Sequence, residues 1–310
     1  MTESTQTPRI PDWQAALLAR HSLGRGYLES AQEWFDPLAG AIAAHHDGAD
    51  GPMLVGLNGS QGSGKTTLCD YLQTALTEQH GKRALALSID DFYLTHQQRL
   101  NLAEIVHPLC ATRGVPGTHD IALLNTTVTQ LLDPARRADV VLPSFDKATD
   151  DRKPAQALER WSGAVDILLL EGWCLGVLPQ QDEALVQPIN TLEAQEDGDG
   201  IWRQWVNRSL AEDYVPFYEY VDFWVMLAAP DFDCVLAWRS EQEEKLRQSL
   251  ADAATPNALQ SPEDLQRFVQ HYERLTRECL ATLPGRVDYL LSLDSRRNVR
   301  AVSHRLLSGS

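Results

Sequence analysis

Positive charge is scarce in this sequence: 27 lysines and arginines stand against 43 aspartates and glutamates, a formal net charge of −16. So acidic a chain repels phosphate backbones and anionic lipid, which argues against nucleic acid and membrane surfaces as partners. A small anionic ligand would therefore need a local basic pocket. Cysteine is sparse as well. The five cysteines (Cys69, Cys110, Cys174, Cys234, Cys279) are scattered and none forms a C-x-x-C pair, so neither a zinc site nor a disulfide framework is indicated. Long apolar runs are missing, since the core-like stretch Ile167–Leu170 falls far short of a membrane span. Residues 1–10 show no basic-then-apolar leader pattern and read as disordered. Together these absences point to a reducing, cytoplasmic compartment.

With 310 residues, 43% of them apolar, the chain has ample material for one large domain with additions. Residues 11–46 read as two helical pieces broken around Gly24 and Gly26. From Met53 onward short apolar runs (53–57, 84–89, 140–142, 165–170, 221–227, 287–293) alternate with helix-length segments. That rhythm predicts an α/β fold with a mostly parallel sheet flanked by helices on both faces. The expected division is a helical extension over 1–50 and a main domain over 51–310, with a helical region at about 235–282. The polar, acidic stretch 181–200 reads as an exposed insertion. Ser261-Pro-Glu-Asp264 resembles a helix cap with proline at the first position. It opens an amphipathic helix with Leu265, Phe268, Val269, Tyr272, Leu275 and Cys279 on one stripe.

The sharpest local signal is Gly59-Ser60-Gln61-Gly62-Ser63-Gly64-Lys65-Thr66, followed by Thr67, which fits G-x-x-x-x-G-K-[ST] without a mismatch. It lies between an apolar run and a helical pattern, the context of a P-loop. Glycines let backbone N–H groups converge on phosphate oxygens, and the next helix adds its positive end. Lys65 then reaches the β- and γ-phosphates, and the Thr66 hydroxyl is a magnesium ligand. A bound nucleoside triphosphate follows. The dinucleotide pattern G-x-G-x-x-G is absent from this loop, and the guanine motif N-K-x-D is absent from the chain.

Two acids, Asp90 and Asp91, sit at the carboxyl end of the second run, where ligands gather in open α/β sheets. Phosphoryl transfer to an alcohol needs a carboxylate to accept the hydroxyl proton, and strand alternation lets only one of the pair face the phosphates. The alternative is an Asp pair capping the next segment. Glu171 ends the apolar run 165–170 and suits a Walker-B-type magnesium acid.

The loop, then Asp90-Asp-Phe-Tyr93, then Leu170-Glu-Gly-Trp173, resembles the uridine kinase, phosphoribulokinase and pantothenate kinase group of P-loop kinases. Within it, Ser88–Thr95, Arg113–Asp120, Phe145–Lys147 and Leu170–Gly176 resemble the plant-type D-glycerate 3-kinases and their bacterial and fungal relatives. The likeness runs over about residues 53–300. It implies ATP-dependent phosphorylation of the 3-hydroxyl of D-glycerate, with magnesium, and makes Asp90 rather than Asp91 the base.

Acceptor-binding candidates are Asp91, Tyr93, Arg113, His119, Asp120, Lys147 and Arg152, cations from two loops being what a small carboxylate needs. Surface ion pairing is the competing account of Lys147 and Arg152, and a bonded structural histidine that of His119. Arg239, on a helix expected to close over the nucleotide, is a candidate for charge on the transferring group; an Arg239–Glu243–Arg247 ladder is the alternative. The first reading is thus a kinase of D-glycerate. Behind it stand a kinase for another small hydroxylated acceptor, such as a nucleoside or pantothenate-like alcohol, and a nucleotide-binding regulator without turnover.

Overall fold

The computed structural model describes residues 10–250 and 262–305, the side chains of 243–250 and 262 excepted. The expected disorder at 1–9, the Ser261 cap and the Glu243–Arg247 part of the ladder lie outside the described residues. The chain begins with helices α1 (Asp12–Arg20) and α2 (Gly26–Asp47), then strand β1 (Met53–Gly59) and helix α3 (Lys65–Glu78). There follow β2 (Ala84–Ser88), a 3-10 turn over Ile89–Phe92, α4 (His96–Ile105) and α5 (Ile121–Leu131). Four two-residue strands come next: β3 (Val140–Val141), β4 (Phe145–Asp146), β5 (Asp151–Arg152) and β6 (Arg160–Trp161). The second half holds β7 (Ile167–Gly172), α6 (Thr191–Glu196), α7 (Ile201–Ser209), α8 (Val215–Tyr218), β8 (Phe223–Ala228), α9 (Phe232–Leu250), α10 (Pro262–Thr282), β9 (Tyr289–Leu293) and β10 (Val299–His304).

Six strands form the central sheet in the order β10-β9-β8-β1-β7-β2, with β10 antiparallel and the rest parallel. The α/β fold with a mostly parallel, helix-flanked sheet is therefore as the apolar runs predict. Both faces are buried because alternate residues of each strand feed different cores. Leu54, Leu85, Leu87, Leu168 and Leu170 pack on one side with α5 and α7. Met53, Val55, Leu57, Ile167, Leu169 and Val225 pack on the other with α2 and α3.

Two expectations need correction. The run 140–142 does form a strand, but not one of the central sheet; β3 pairs with β6 in a side ribbon, burying Val140 and leaving Val141 exposed. With only two residues in the strand, it is too short to join the central sheet and be covered on both faces. The stretch 181–200 is not simply exposed, since Leu185, Leu192, Glu193 and Asp197 are buried. Two ion pairs anchor it: Arg274 Nη2 lies 2.6 Å from Glu193 and Arg203 Nη1 lies 2.9 Å from Asp197. The two N-terminal helical pieces are present as α1 and α2, as expected, and they pack into the main core through Leu17, Phe35, Leu38 and Ile42. Among the described residues no helix is long and apolar enough to cross a membrane.

Candidate active site

Parallel pairing sets three functional elements side by side. Leu57 of β1, Glu171 of β7 and Ser88 of β2 share one register level, so the loop after β1 and the turn after β2 open at the same sheet edge as Glu171. The loop itself turns through Gly62 (φ 78°) and Gly64 (φ 91°), and Gly64 caps α3. Left-handed backbone at both positions favours glycine. A side chain on Gly62 is excluded twice over, since its Cβ would lie 2.7 Å from Cβ of Trp238 in α9. The first N–H groups of α3 have no partner within the helix and offer themselves to an anion.

Around this loop several polar atoms are buried without a hydrogen-bond partner: the Ser60 and Ser63 hydroxyls and Glu171 Oε2. Thr66 Oγ1 donates to Glu171 Oε1 at 3.0 Å, and Lys65 Nζ lies 3.8 Å from Glu171 Oε2. One hydroxyl and one carboxylate with a spare oxygen form a hard-oxygen donor set that fits magnesium. That ion takes only one or two protein ligands and fills its shell from phosphate and water.

The two adjacent acids diverge. Asp90 Oδ1 accepts a hydrogen bond from the Tyr93 hydroxyl at 2.7 Å, and Lys147 Nζ lies 2.7 Å from Asp90 Oδ2. Burial alone would raise the Asp90 pKa, but the Lys147 and Lys65 charges and these two hydrogen bonds outweigh it and hold the carboxyl well below its usual range. Asp91 faces the other way. It accepts from the Phe145 N–H at 3.1 Å, and burial raises its pKa.

A cavity of about 90 Å³ opens between these groups. It is lined by Gln61 and Lys65 of the P-loop, by Asp90 and Tyr93, and by Arg113 and Lys147. Trp173, Arg239, Phe268 and Tyr272 complete the wall. Four cations around one acid make this the local basic pocket that so acidic a chain requires. Arg113 pairs with Asp150 and lies 5.6 Å from the centre of the Phe145 ring. Its backbone is fixed as well: Tyr272 Oη donates to the Arg113 carbonyl and Trp173 Nε1 to the Gly114 carbonyl, both at 2.9 Å. Gly114 has φ 130°, and a Cβ there would sit 2.4 Å from the Tyr272 ring. Arg239 stands over the Phe268 ring at 5.4 Å.

Among the acceptor candidates, Tyr93, Arg113 and Lys147 line the cavity and four others do not. Asp91 holds the β4 backbone. Asp120 caps α5 through the Leu123 N–H and pairs with Arg152 at 2.9 Å, while Arg152 also donates to the Tyr93 carbonyl. Both groups are thereby used in joining loops. His119 is buried behind Tyr93, stacked at 4.5 Å, with Nδ1 2.6 Å from the Tyr214 hydroxyl. Burial, only partly opposed by Asp90, lowers its pKa to about 4 and keeps it neutral. Thr67, taken with the cofactor loop, has its hydroxyl 3.5 Å from His21 Nδ1. Sequence reasoning missed Trp173, Phe268 and Tyr272 as cavity walls. The last two stand on the stripe read as core, and two aromatics among its aliphatics were the available signal.

Comparison with known proteins bears on this geometry. No protein-family model matches the chain. It is 32% identical to the uncharacterized kinase mug58 of Schizosaccharomyces pombe, over 76% of this chain and 84% of that one. It is 29% identical to the chloroplastic D-glycerate 3-kinase of Arabidopsis thaliana, over 83% of this chain and 57% of the plant protein. The fold is similar to that of the D-glycerate 3-kinase from Cryptococcus neoformans, with a TM-score of 0.69 at 22% identity, covering 87% of this chain and 98% of that one.

Proposed function

Since the chain belongs to the D-glycerate 3-kinase family of P-loop kinases, we propose that it transfers the γ-phosphoryl group of ATP to the 3-hydroxyl of D-glycerate, giving 3-phosphoglycerate and ADP. The observation that carries this reading is the cavity beside Lys65. Its volume of about 90 Å³ is far below the ~300–1,000 Å³ of pockets for drug-sized ligands. It combines one carboxylate with four cations, which suits a small hydroxy acid.

The P-loop amides and Lys65 hold the triphosphate, and Arg239, which also lines the cavity, meets charge on the transferring group. Thr66 and Glu171 would hold magnesium, which when bound would supply positive charge to offset that of the triphosphate. Lys147 and Arg113 receive the acceptor carboxylate. In doing so Lys147 leaves Asp90, whose Oδ2 then accepts the hydrogen of the acceptor hydroxyl. As the new O–P bond forms and the bond from Pγ to the bridging oxygen breaks, Asp90 takes that proton and ADP departs. A carboxyl of low pKa suffices, because in a loose transition state the proton moves late and the main task is aiming the hydroxyl. Tyr93 stays protonated, its pKa raised by burial and by the Asp90 charge, and keeps the carboxylate oriented.

The test is ADP release from Mg-ATP with D-glycerate, with L-glycerate, and without acceptor. The expected result is release dependent on D-glycerate with 3-phosphoglycerate as product. Turnover with another small hydroxy acid, and none with glycerate, overturns the acceptor assignment.

A further inference from the structure

Helices α1 and α2 take no part in the chemistry above, yet the turn between them meets α3 beside the P-loop. His21 Nε2 lies 2.7 Å from Asp70 Oδ2, and Arg20 Nη1 lies 2.5 and 2.7 Å from the two Asp70 oxygens. The second ring nitrogen of His21 is the one facing Thr67. Ser22, the next residue, is held in left-handed backbone at φ 52°, which a non-glycine residue adopts when its surroundings impose it. Leu23 N–H bonds back to the Leu18 carbonyl at 2.9 Å and fixes that turn. The chain thus bends sharply where Arg20 and His21 must reach α3.

Asp70 is what makes the contact informative. Thr67 and Asp70, three residues apart, share a face of α3, and Asp70 stands only about 4.5 Å further along the axis. Lys65 and Thr66 serve the β- and γ-phosphates, so Thr67, the next residue, stands beside the polyphosphate site. A bare carboxylate there acts on the polyphosphate from within about one Debye length, ~8 Å at physiological ionic strength. In a chain of net charge −16 no general positive field offsets it. The Asp70 side chain is only 16% exposed, so solvent screens it poorly.

We propose that Arg20 and His21 are positioning residues for nucleotide binding: the Arg20 guanidinium offsets the Asp70 charge, the His21 ring holds that carboxylate by a hydrogen bond, and together they keep the Thr67 side of the P-loop receptive to a polyphosphate. The inference rests on nucleotide occupying the P-loop, whatever the acceptor. The N-terminal helices then serve the site electrostatically as well as sharing its core.

The experiment is a charge cycle on the full chain, reading the ADP dissociation constant by calorimetry at low and high salt, together with the acceptor KM and Tm. Arg20 is 60% exposed, so Arg20→Ala leaves the fold intact. It should weaken ADP binding roughly three- to tenfold at low salt, less at high salt, with the acceptor KM unchanged. Combining it with Asp70→Asn should return ADP affinity to within about twofold of the unaltered protein, because the uncovered charge is gone. His21→Ala, which removes a hydrogen bond to the same carboxylate, should weaken ADP binding in the same direction and be rescued by Asp70→Asn. Arg20→Ala binding ADP normally, or a double variant as weak as the single one, overturns the proposal. A rise in acceptor KM equal to that in ADP Kd also overturns it, as general damage to the site. Absence of ADP binding by the unaltered protein would instead overturn the nucleotide assignment beneath it.

Discussion

Replacing Lys147 with methionine keeps the apolar stem and removes the charge. In the free protein the ammonium sits 2.7 Å from Asp90 with 60% of its side chain exposed. A pair so open is worth only ~0.2–1 kcal/mol. A hydrogen bond from the same ammonium to an acceptor carboxylate contributes ~1.5–3 kcal/mol. Exchanging the first for the second leaves ~1–2 kcal/mol of acceptor affinity, or roughly a five- to thirtyfold rise in KM for D-glycerate in the variant. The kcat should change far less, since the proton goes to Asp90 and the phosphoryl charge is met by Lys65 and Arg239. The pH profile should move too. Burial raises the Asp90 pKa and Lys147 leads the influences that lower it, so removing Lys147 raises it and shifts the acidic limb of kcat/KM to higher pH. Steady-state kinetics with D-glycerate varied at saturating Mg-ATP checks both. An unchanged KM for D-glycerate, or an equal rise in KM for ATP, would refute the reasoning.

Asp90→Asn should lower kcat by roughly 10²–10⁴-fold while leaving the ATP dissociation constant near its original value, as single-turnover kinetics and calorimetry would reveal. Glu171→Gln should raise the magnesium concentration for half-maximal activity roughly 10–100-fold, the range seen when carboxylates supporting a metal are lost. A magnesium titration that superimposes on the original would remove Glu171 from the metal site. Two buried histidines should make stability depend on pH, since burial pushes both His119 and His271 down to about 4. The unfolded chain takes up these protons below its ordinary value of ~6.5, whereas the folded chain does not until near 4. The stability is thus complete above ~6.5 and declines as pH falls toward 4, by ~2–3 kcal/mol per histidine at most. A Tm flat over that interval, or a slope unaltered by His119→Gln with His271→Gln, would count against it.

Much of this was legible in the sequence because its signals are local. The spacing of Gly59, Gly64 and Lys65 specifies a turn and a helix start. The run ending at Glu171 reads as a fully buried strand because β7 has neighbours on both edges and helices on both faces. What stayed hidden depends on partners far apart in the chain. Tyr272 acts on Arg113 across 159 residues, and nothing near either residue announces the other. Arg152 and Asp120 carry the residue types of a carboxylate site, yet their proximity lets them satisfy each other. Composition misled at 181–200 because a buried Glu or Asp counts as polar whether or not an arginine waits for it.

Trp238 gives the molecule an optical consequence. Its Cβ and backbone abut Gly62 and its indole N–H donates to the Ser295 carbonyl at 2.7 Å, so the residue links the P-loop to the β9–β10 turn. Of the eight tryptophans in the chain this one packs directly on the loop. Emission difference spectra between the original protein and a Trp238→Phe variant would therefore isolate a fluorophore whose surroundings change when the loop is filled, a label supplied by the sequence itself.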